Sequence, residues 1–232
     1  MPSASRFTPH ASLPPVIAID GPSASGKGTV AKRIAQRLGF HYLDSGALYR
    51  LVTLSALQKR VALDNEAALA QLAGALDARF HEDNVFLNQT DVTDLIRSEE
   101  VSATTSQVAA LPAVRQALLT RQRAFRQPPG LVADGRDMGS VVFPDAVLKI
   151  YLTADTAERG LRRYKQLIEK GMDANITTLL QDIRRRDARD SARAVAPLQK
   201  SDDASLLDTT KLSIDAAVEQ VLARYAAAKW VP

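Results

Sequence analysis

The nine residues Gly21-Pro22-Ser23-Ala24-Ser25-Gly26-Lys27-Gly28-Thr29, set between two segments of different periodicity, restrict this chain more than any other feature. Before them, Val16 to Asp20 is a short apolar run entered through Pro14-Pro15 and closed by Gly21-Pro22, the pattern of a buried strand. After them, Val30, Ile34 and Leu38 recur at helical spacing, Lys32, Arg33, Gln36 and Arg37 cover the opposite face, and Gly39 supplies the stop. A strand that passes through a glycine-bearing turn into a helix leaves the helix's first amides unpaired and pointing at one place, where the partial positive charge of the helix also lies. Such a place binds a phosphate. Lys27 is positioned to reach the terminal phosphates of a nucleotide, and Thr29 is the expected magnesium ligand. The pattern G-x-x-x-x-G-K-[ST] is met except that Gly28 follows the lysine and threonine comes one residue later. No N-K-x-D guanine-reading motif occurs, which argues against a GTPase.

The remaining periodicity extends this start into a fold. Strands are expected at 41–43, 131–134, 147–152 and 206–208, separated by helices at 45–59, 111–126, 155–170, 176–189 and 213–229. Five short strands interleaved with helices imply an α/β domain built on a doubly wound, mostly parallel five-stranded sheet with right-handed crossovers. Between them lies something different in kind. A helix near 65–76 precedes an expected hairpin within 78–96, with Asp83-Asn84 as its turn and Val85 and Leu87 alternating. Hairpins are foreign to a parallel sheet, so about 64–105 is taken as an inserted subdomain. At 232 residues the chain suits one large domain over 15–232, with 1–14 as a disordered arm. The absence of cysteine excludes disulfides, thiolate catalysis and a cysteine zinc site. No apolar run approaches the roughly 18 residues of a membrane helix, and the N-terminus lacks a secretory apolar stretch, so a cytoplasmic location is expected.

The formal charge is only +4, but its distribution is uneven: the segment 159–193 carries twice as many basic as acidic residues. A concentration of that kind suits an anionic partner, either nucleotide phosphate or nucleic acid. Within it Arg186, Arg189, Asp190 and Arg193 share one stripe if the helix runs through them, and Arg159 and Arg163 form a second. Guanidiniums around one carboxylate match a phosphosugar, although charge runs are commonly just solvated faces. Two further groups stand at strand ends. Asp44-Ser45-Gly46-Ala47-Leu48-Tyr49-Arg50 enters a helix with Arg50 available to an acceptor phosphate, unless it is an ordinary exposed arginine. Asp134-Gly135-Arg136-Asp137 follows a strand's carboxyl end, where open α/β sheets bind ligands; a structural ion-pair cluster is the alternative. Asp134 is placed to orient magnesium or its water. His10, His41 and His81 show no ligand spacing, and Trp230 reads as a packing anchor.

In this order and combination, the motifs resemble those of bacterial cytidylate kinases. The likeness rests on Ile19-Asp20-Gly21-Pro22-Ser23 with Gly26-Lys27-Gly28-Thr29, Leu43 to Arg50, Ala133-Asp134-Gly135-Arg136-Asp137-Met138-Gly139, Val142-Phe143-Pro144-Asp145-Ala146, and Arg186-Asp187 with Arg189-Asp190. Ala24 and Ser25 stand where many relatives carry glycine and alanine, and the absence of glycine at 24 counts against the adenylate kinases. The resemblance implies a P-loop kinase fold with an arginine-bearing helical lid over about 155–193 and an acceptor-binding region within about 45–125. It implies transfer of the γ-phosphoryl group of ATP to CMP or dCMP, with magnesium, in a monomer that engages neither nucleic acid nor membrane. Carried over to this chain, Gly21 to Thr29 hold ATP, Ser45 and Arg50 lie at the CMP phosphate, and Ser106, Arg115 and Asp137 read cytosine. Arg136, Arg186, Asp190 and Arg193 complete the phosphate and ribose contacts, and Lys27, Arg136, Arg159, Arg163 and Arg193 offset the transferring charge. The competing expectations are a kinase of AMP, UMP or dTMP and a nucleic-acid-binding module.

Overall fold

The computed structural model describes residues 13–81, 83–169 and 171–228. All but the last two residues of the arm expected at 1–14 fall outside that range, as does the packing role expected of Trp230.

In chain order the elements are β1 (Val16–Asp20), α1 (Lys27–Leu38), β2 (His41–Asp44), α2 (Ser45–Gln58), α3 (Glu66–Gly74), β3 (Ala78–His81), β4 (Asn84–Leu87) and β5 (Thr90–Asp91). There follow α4 (Glu99–Val108), α5 (Pro112–Ala124), β6 (Leu131–Gly135), a π-helical turn at Met138–Val142, β7 (Leu148–Thr153), α6 (Thr156–Glu169), α7 (Ile176–Ser191), β8 (Ser205–Asp208) and α8 (Ile214–Ala228). The five strands expected from periodicity form one sheet in the order β2-β6-β1-β7-β8, and every pairing in it is parallel.

Both faces of this sheet are covered, which is why β1 reads as an unbroken apolar run rather than an alternating one. Val16 and Ala18 point into a core shared with Leu48, Leu51, Val114 and Leu118 of α2 and α5. Ile17 and Ile19 point the other way, onto Val30 and Ile34 of α1 and Val218 and Val221 of α8. Gly39 ends α1 in the left-handed conformation at φ 63°, its amide closing back on the carbonyls of Ala35 and Gln36. Ser213 caps α8 through Ala216 N at 3.1 Å, as its place before the helix suggests.

The expected hairpin exists as part of a separate antiparallel sheet, β3-β4-β5. Its turn is shifted from the expected pair Asp83-Asn84: Asn84 belongs to β4 and pairs with His81, leaving only Asp83 of the two between the strands. Burial of Val85 and Leu87 on one face fixes this register, because a slip of one residue would turn both to solvent. The helix α4 is absent from the sequence expectations. Its start signals are present, Ser98 accepting from Val101 N and Glu99-Glu100 in the first turn, but its buried side includes Thr105 and Ser106, which weakens the apolar stripe. Helix α7 runs two residues past its expected end, so Asp190 is helical and Arg193 follows just beyond.

Candidate active site

The register of the parallel sheet assembles the site. Asp20 of β1 lies beside Gly135 of β6, and Asp44 of β2 lies beside Asp134. The segments that follow these three strands, Gly21 to Thr29, Ser45 to Arg50 and Arg136 to Asp137, therefore meet at one carboxyl edge, where a doubly wound sheet opens its crevice.

The loop after β1 is held by backbone constraints. A Cβ on Gly21 would lie 1.9 Å from the Leu152 carbonyl oxygen of neighbouring β7, so only glycine passes. Gly26 caps α1 in the left-handed region at φ 89° without any side-chain cap, and no acidic residue occupies the first turn. The first amides of α1 thus have no internal competitor for an anion. Lys27 is buried and donates to the Pro22 carbonyl at 3.1 Å, and its Nζ stands 4.0 Å from Asp134 Oδ1. Burial lowers the Lys27 pKa, with Arg136 adding to the effect, and burial raises that of the Asp134 carboxyl against the pull of Lys27. Each group is therefore held ready for a charged ligand that would complete its surroundings. Thr29 is exposed at the rim of the same cleft.

Across the cleft, α2, α4, α5 and α7 supply the second half. Ser45 donates through Oγ to the Asp134 carbonyl at 2.8 Å, and Arg50 lies 3.7 Å from Asp44. Arg115 of α5 forms a buried ion pair with Asp137, donates to the Ala109 carbonyl at 3.1 Å, and has its guanidinium carbon 5.8 Å from the centre of the Tyr49 ring. Asp190 is buried and joins two arginines: Arg136 Nε donates to it at 2.9 Å, and Arg193 forms an ion pair with it. Burial opposes ionisation of Asp190, yet Arg136, Arg193 and Arg186 together hold its carboxyl below the usual range. Burial, and then the adjacent Arg136 and Arg50, push the Arg186 guanidinium down to about 9 against the pull of Asp190.

These groups surround a cleft of about 250 Å³, which shares lining residues with a second of about 470 Å³ toward α4 and α7. Ser25 Oγ, Arg50 Nε, Ser106 Oγ, Asp134 Oδ1, Arg186 Nε and Arg193 Nε are all buried without a hydrogen-bond partner, and all six residues line the smaller cleft. Buried polar atoms are ordinarily satisfied, so six exceptions around one cavity indicate a polar ligand of several anionic or hydroxyl groups.

Of the residues singled out in the sequence, Ser23 to Thr29, Ser45, Arg50, Ser106, Arg115, Asp134, Arg136, Asp137, Arg186, Asp190 and Arg193 come together at this cleft. Arg189 and Arg163 line only the larger space, and Arg163 is ion-paired with Glu99 of α4. Arg159 is not brought to either wall: it is buried against Asp187 at 2.7 Å and against the carbonyls of Ala154 and Ser23. Two residues given no role from sequence matter here. Tyr49 lines the cleft beneath Arg115, and its place one residue before Arg50 in the α2 motif was the available signal. Asp20 accepts the amides of Met138 and Gly139, each at 2.8 Å, and so ties the end of β1 to the segment carrying Arg136 and Asp137.

A wholly parallel sheet, a phosphate loop running into an uncapped helix and a facing nest of arginines define a P-loop nucleotide-binding protein with a second anion site. A family model described as cytidylate kinase matches residues 17–227. The cytidylate kinase of Chromobacterium violaceum is 61% identical over 208 residues, which are 90% of this chain and 94% of that protein. The cytidylate kinase of Bordetella pertussis is 60% identical over 208 residues, covering 90% and 93% respectively. The chain belongs to the cytidylate kinase family.

Proposed function

We propose that this protein transfers the γ-phosphoryl group of ATP to CMP or dCMP, giving ADP and CDP or dCDP. The observation that carries the reading is that the phosphate loop and the arginine nest line one cleft, and that six buried polar atoms of its lining residues lack a hydrogen-bond partner. The loop binds the donor's phosphates through its free amides and Lys27. Arg50, Arg136, Arg186 and Arg193 hold the acceptor's phosphate, with Asp190 keeping Arg136 and Arg193 in place and available to ribose hydroxyls. Ser106, Arg115 and Asp137 present both donors and acceptors to the cytosine edge.

The acceptor atom is a phosphate oxygen that is already ionised near neutral pH, so no general base is required. Catalysis reduces to holding donor and acceptor in line and offsetting the charge spread over the transferring group. Lys27, Arg136 and Arg193 lie at the cleft for that purpose and Arg163 at the larger space beside it, whereas Arg159, engaged with Asp187 and the Ser23 carbonyl, supports the loop rather than the transferring group. The residues also fit a magnesium ion, because Asp134 Oδ1 is buried beside the loop without a hydrogen-bond partner, Lys27 Nζ standing 4.0 Å off, and Thr29 is at the rim of the cleft. Thr29 and Asp134, the latter directly or through water, would hold the ion, which would supply neutralisation of the phosphate charge.

The protein acts as a cytoplasmic monomer on small molecules. Among the described residues no helix is long and apolar enough to cross a membrane. Pairing of Arg159, Arg163, Arg185 and Arg193 with carboxylates favours a small anionic ligand over nucleic acid as the partner of the arginine-rich segment. The test is formation of CDP from ATP and CMP with magnesium by the purified protein. Absence of product, or steeply salt-dependent oligonucleotide binding in its place, contradicts the reading.

A further inference from the structure

Two residues outside the cleft make contacts that the catalytic reading does not use. Arg162 of α6 points away from both spaces described above and toward the back of the phosphate loop. Its Nη1 donates to the Ser25 carbonyl at 3.0 Å and lies 3.2 Å from Thr209 Oγ1, while Nη2 donates to the Thr209 carbonyl at 2.7 Å. Glu158 accepts from Nε at 2.9 Å, so the guanidinium is fixed on three sides. Thr209 follows β8 directly and is buried; its amide donates to the Thr153 carbonyl of β7 at 2.8 Å. Its hydroxyl lies 3.2 Å from the Ser25 carbonyl and 3.0 Å from that of Thr153, and its single hydrogen serves one of them at a time.

We propose that Arg162 and Thr209 are positioning residues for the donor nucleotide, clamping the Ser25 carbonyl so that the Gly26 amide is aimed at the donor's phosphates. The peptide unit is planar and trans, so fixing the direction of the Ser25 carbonyl fixes the opposite direction of the Gly26 N–H. Ala24 sits in the left-handed region at φ 57° between Ser23 and Ser25, the kind of local alternation that turns amides to one side of a loop and carbonyls to the other. The same helix grips the carbonyl two residues back, for Arg159 Nη1 donates to the Ser23 carbonyl at 3.1 Å, which orients the Ala24 amide likewise. A guanidinium bonded to the carbonyl also polarises the peptide and strengthens its N–H as a donor to an anion. Arg162 also lies against Gly26 itself, where a Cβ would stand 3.4 Å from Nη1.

This proposal rests on the loop being the ATP site, and the experiment separates the two. Binding of ATP and of CMP is measured by calorimetry, each alone, for the wild type, Arg162→Ala, Arg162→Lys and Thr209→Val, with circular dichroism as a check of folding. Arg162→Ala is expected to weaken ATP about tenfold or more and to change CMP less than about twofold, as loss of one charged hydrogen bond implies. Arg162→Lys, which keeps the charge and one donor, should recover part of the loss, and Thr209→Val should weaken ATP by about threefold, a partial loss since one neutral hydroxyl goes. If Arg162→Ala does not fold, the lysine and valine variants decide alone. Unchanged ATP affinity in folded variants, or equal weakening toward ATP and CMP, overturns the clamp while leaving the ATP site standing. A wild type that binds CMP but no ATP overturns the donor-site reading and the clamp with it.

Discussion

Replacement of Asp137 by alanine probes most sharply the Arg115–Asp137 pair proposed to read the base. Asp137 is 3% exposed and its partner Arg115 is 8% exposed, so neither charge has water to fall back on. Burial raises the Asp137 pKa, and Arg115, then Arg193 and Arg136, oppose the rise, which makes these three cations the groups left facing an empty position in the variant. Arg115 would keep only the Ala109 carbonyl at 3.1 Å and the face of Tyr49. Breaking a buried pair by removing one partner costs about 3–5 kcal/mol. For a domain of this size each kcal/mol shifts Tm by about 2–4 °C, so a fall of about 6–20 °C is expected in calorimetry. Adding Arg115→Leu to Asp137→Ala should recover much of it, because the uncompensated charge then goes as well. Kinetically, kcat/KM for CMP should fall while KM for ATP stays within about twofold, if the pair serves the acceptor as proposed. A Tm change below about 2 °C would place the pair among exposed ones worth under 1 kcal/mol and refute the reasoning, as would equal loss toward both nucleotides.

Lys27→Ala should lower kcat by about 100- to 1000-fold with the fold intact by circular dichroism, and an unchanged kcat would remove Lys27 from the transfer step. Ala24→Gly should relieve the left-handed backbone at φ 57° and raise stability by about 1 kcal/mol, seen as a higher urea midpoint; a lower midpoint would show that this conformation carries no strain. Burial pushes Asp20 up to about 7 despite the amides of Gly139 and Met138. A carboxyl raised in the folded state contributes stability that is complete below its ordinary 3.8 and lost as pH rises through about 7, so the wild type should lose this part between those limits. Asp20→Asn should therefore show a flatter dependence of unfolding free energy over that range, and an identical slope would mean that Asp20 titrates normally.

The sheet was legible because its strands are short, apolar and bounded by glycine, proline and aspartate, and because burial on both faces leaves no competing alternation. The cleft residues were legible where they stand at strand ends, as Ser45, Asp134 and Arg136 do, or close the glycine-bearing turn after one, as Lys27 does. Ser106 and Arg115 are different, since they lie on helices in the middle of the chain and nothing in their spacing marks them; they came only through the family likeness. What stayed hidden is set by pairing in space. Nothing in the segment 159–193 distinguishes Arg163, bound to Glu99, from Arg186, pushed down by its cationic neighbours, because the partners come from α4 in one case and from β6 and α2 in the other. Thr209 was invisible for the same reason: one threonine after a strand acquires meaning only when β7, α6 and the phosphate loop close around it.

The most direct test of the account is a steady-state panel with ATP and magnesium, in which CMP, dCMP, AMP and dTMP are offered as acceptors to the purified protein. A site that reads cytosine through a buried donor and acceptor pair should favour CMP and dCMP by about 100-fold or more in kcat/KM over AMP and dTMP. Equal turnover of AMP or dTMP, or no diphosphate from either cytidine nucleotide, would contradict it.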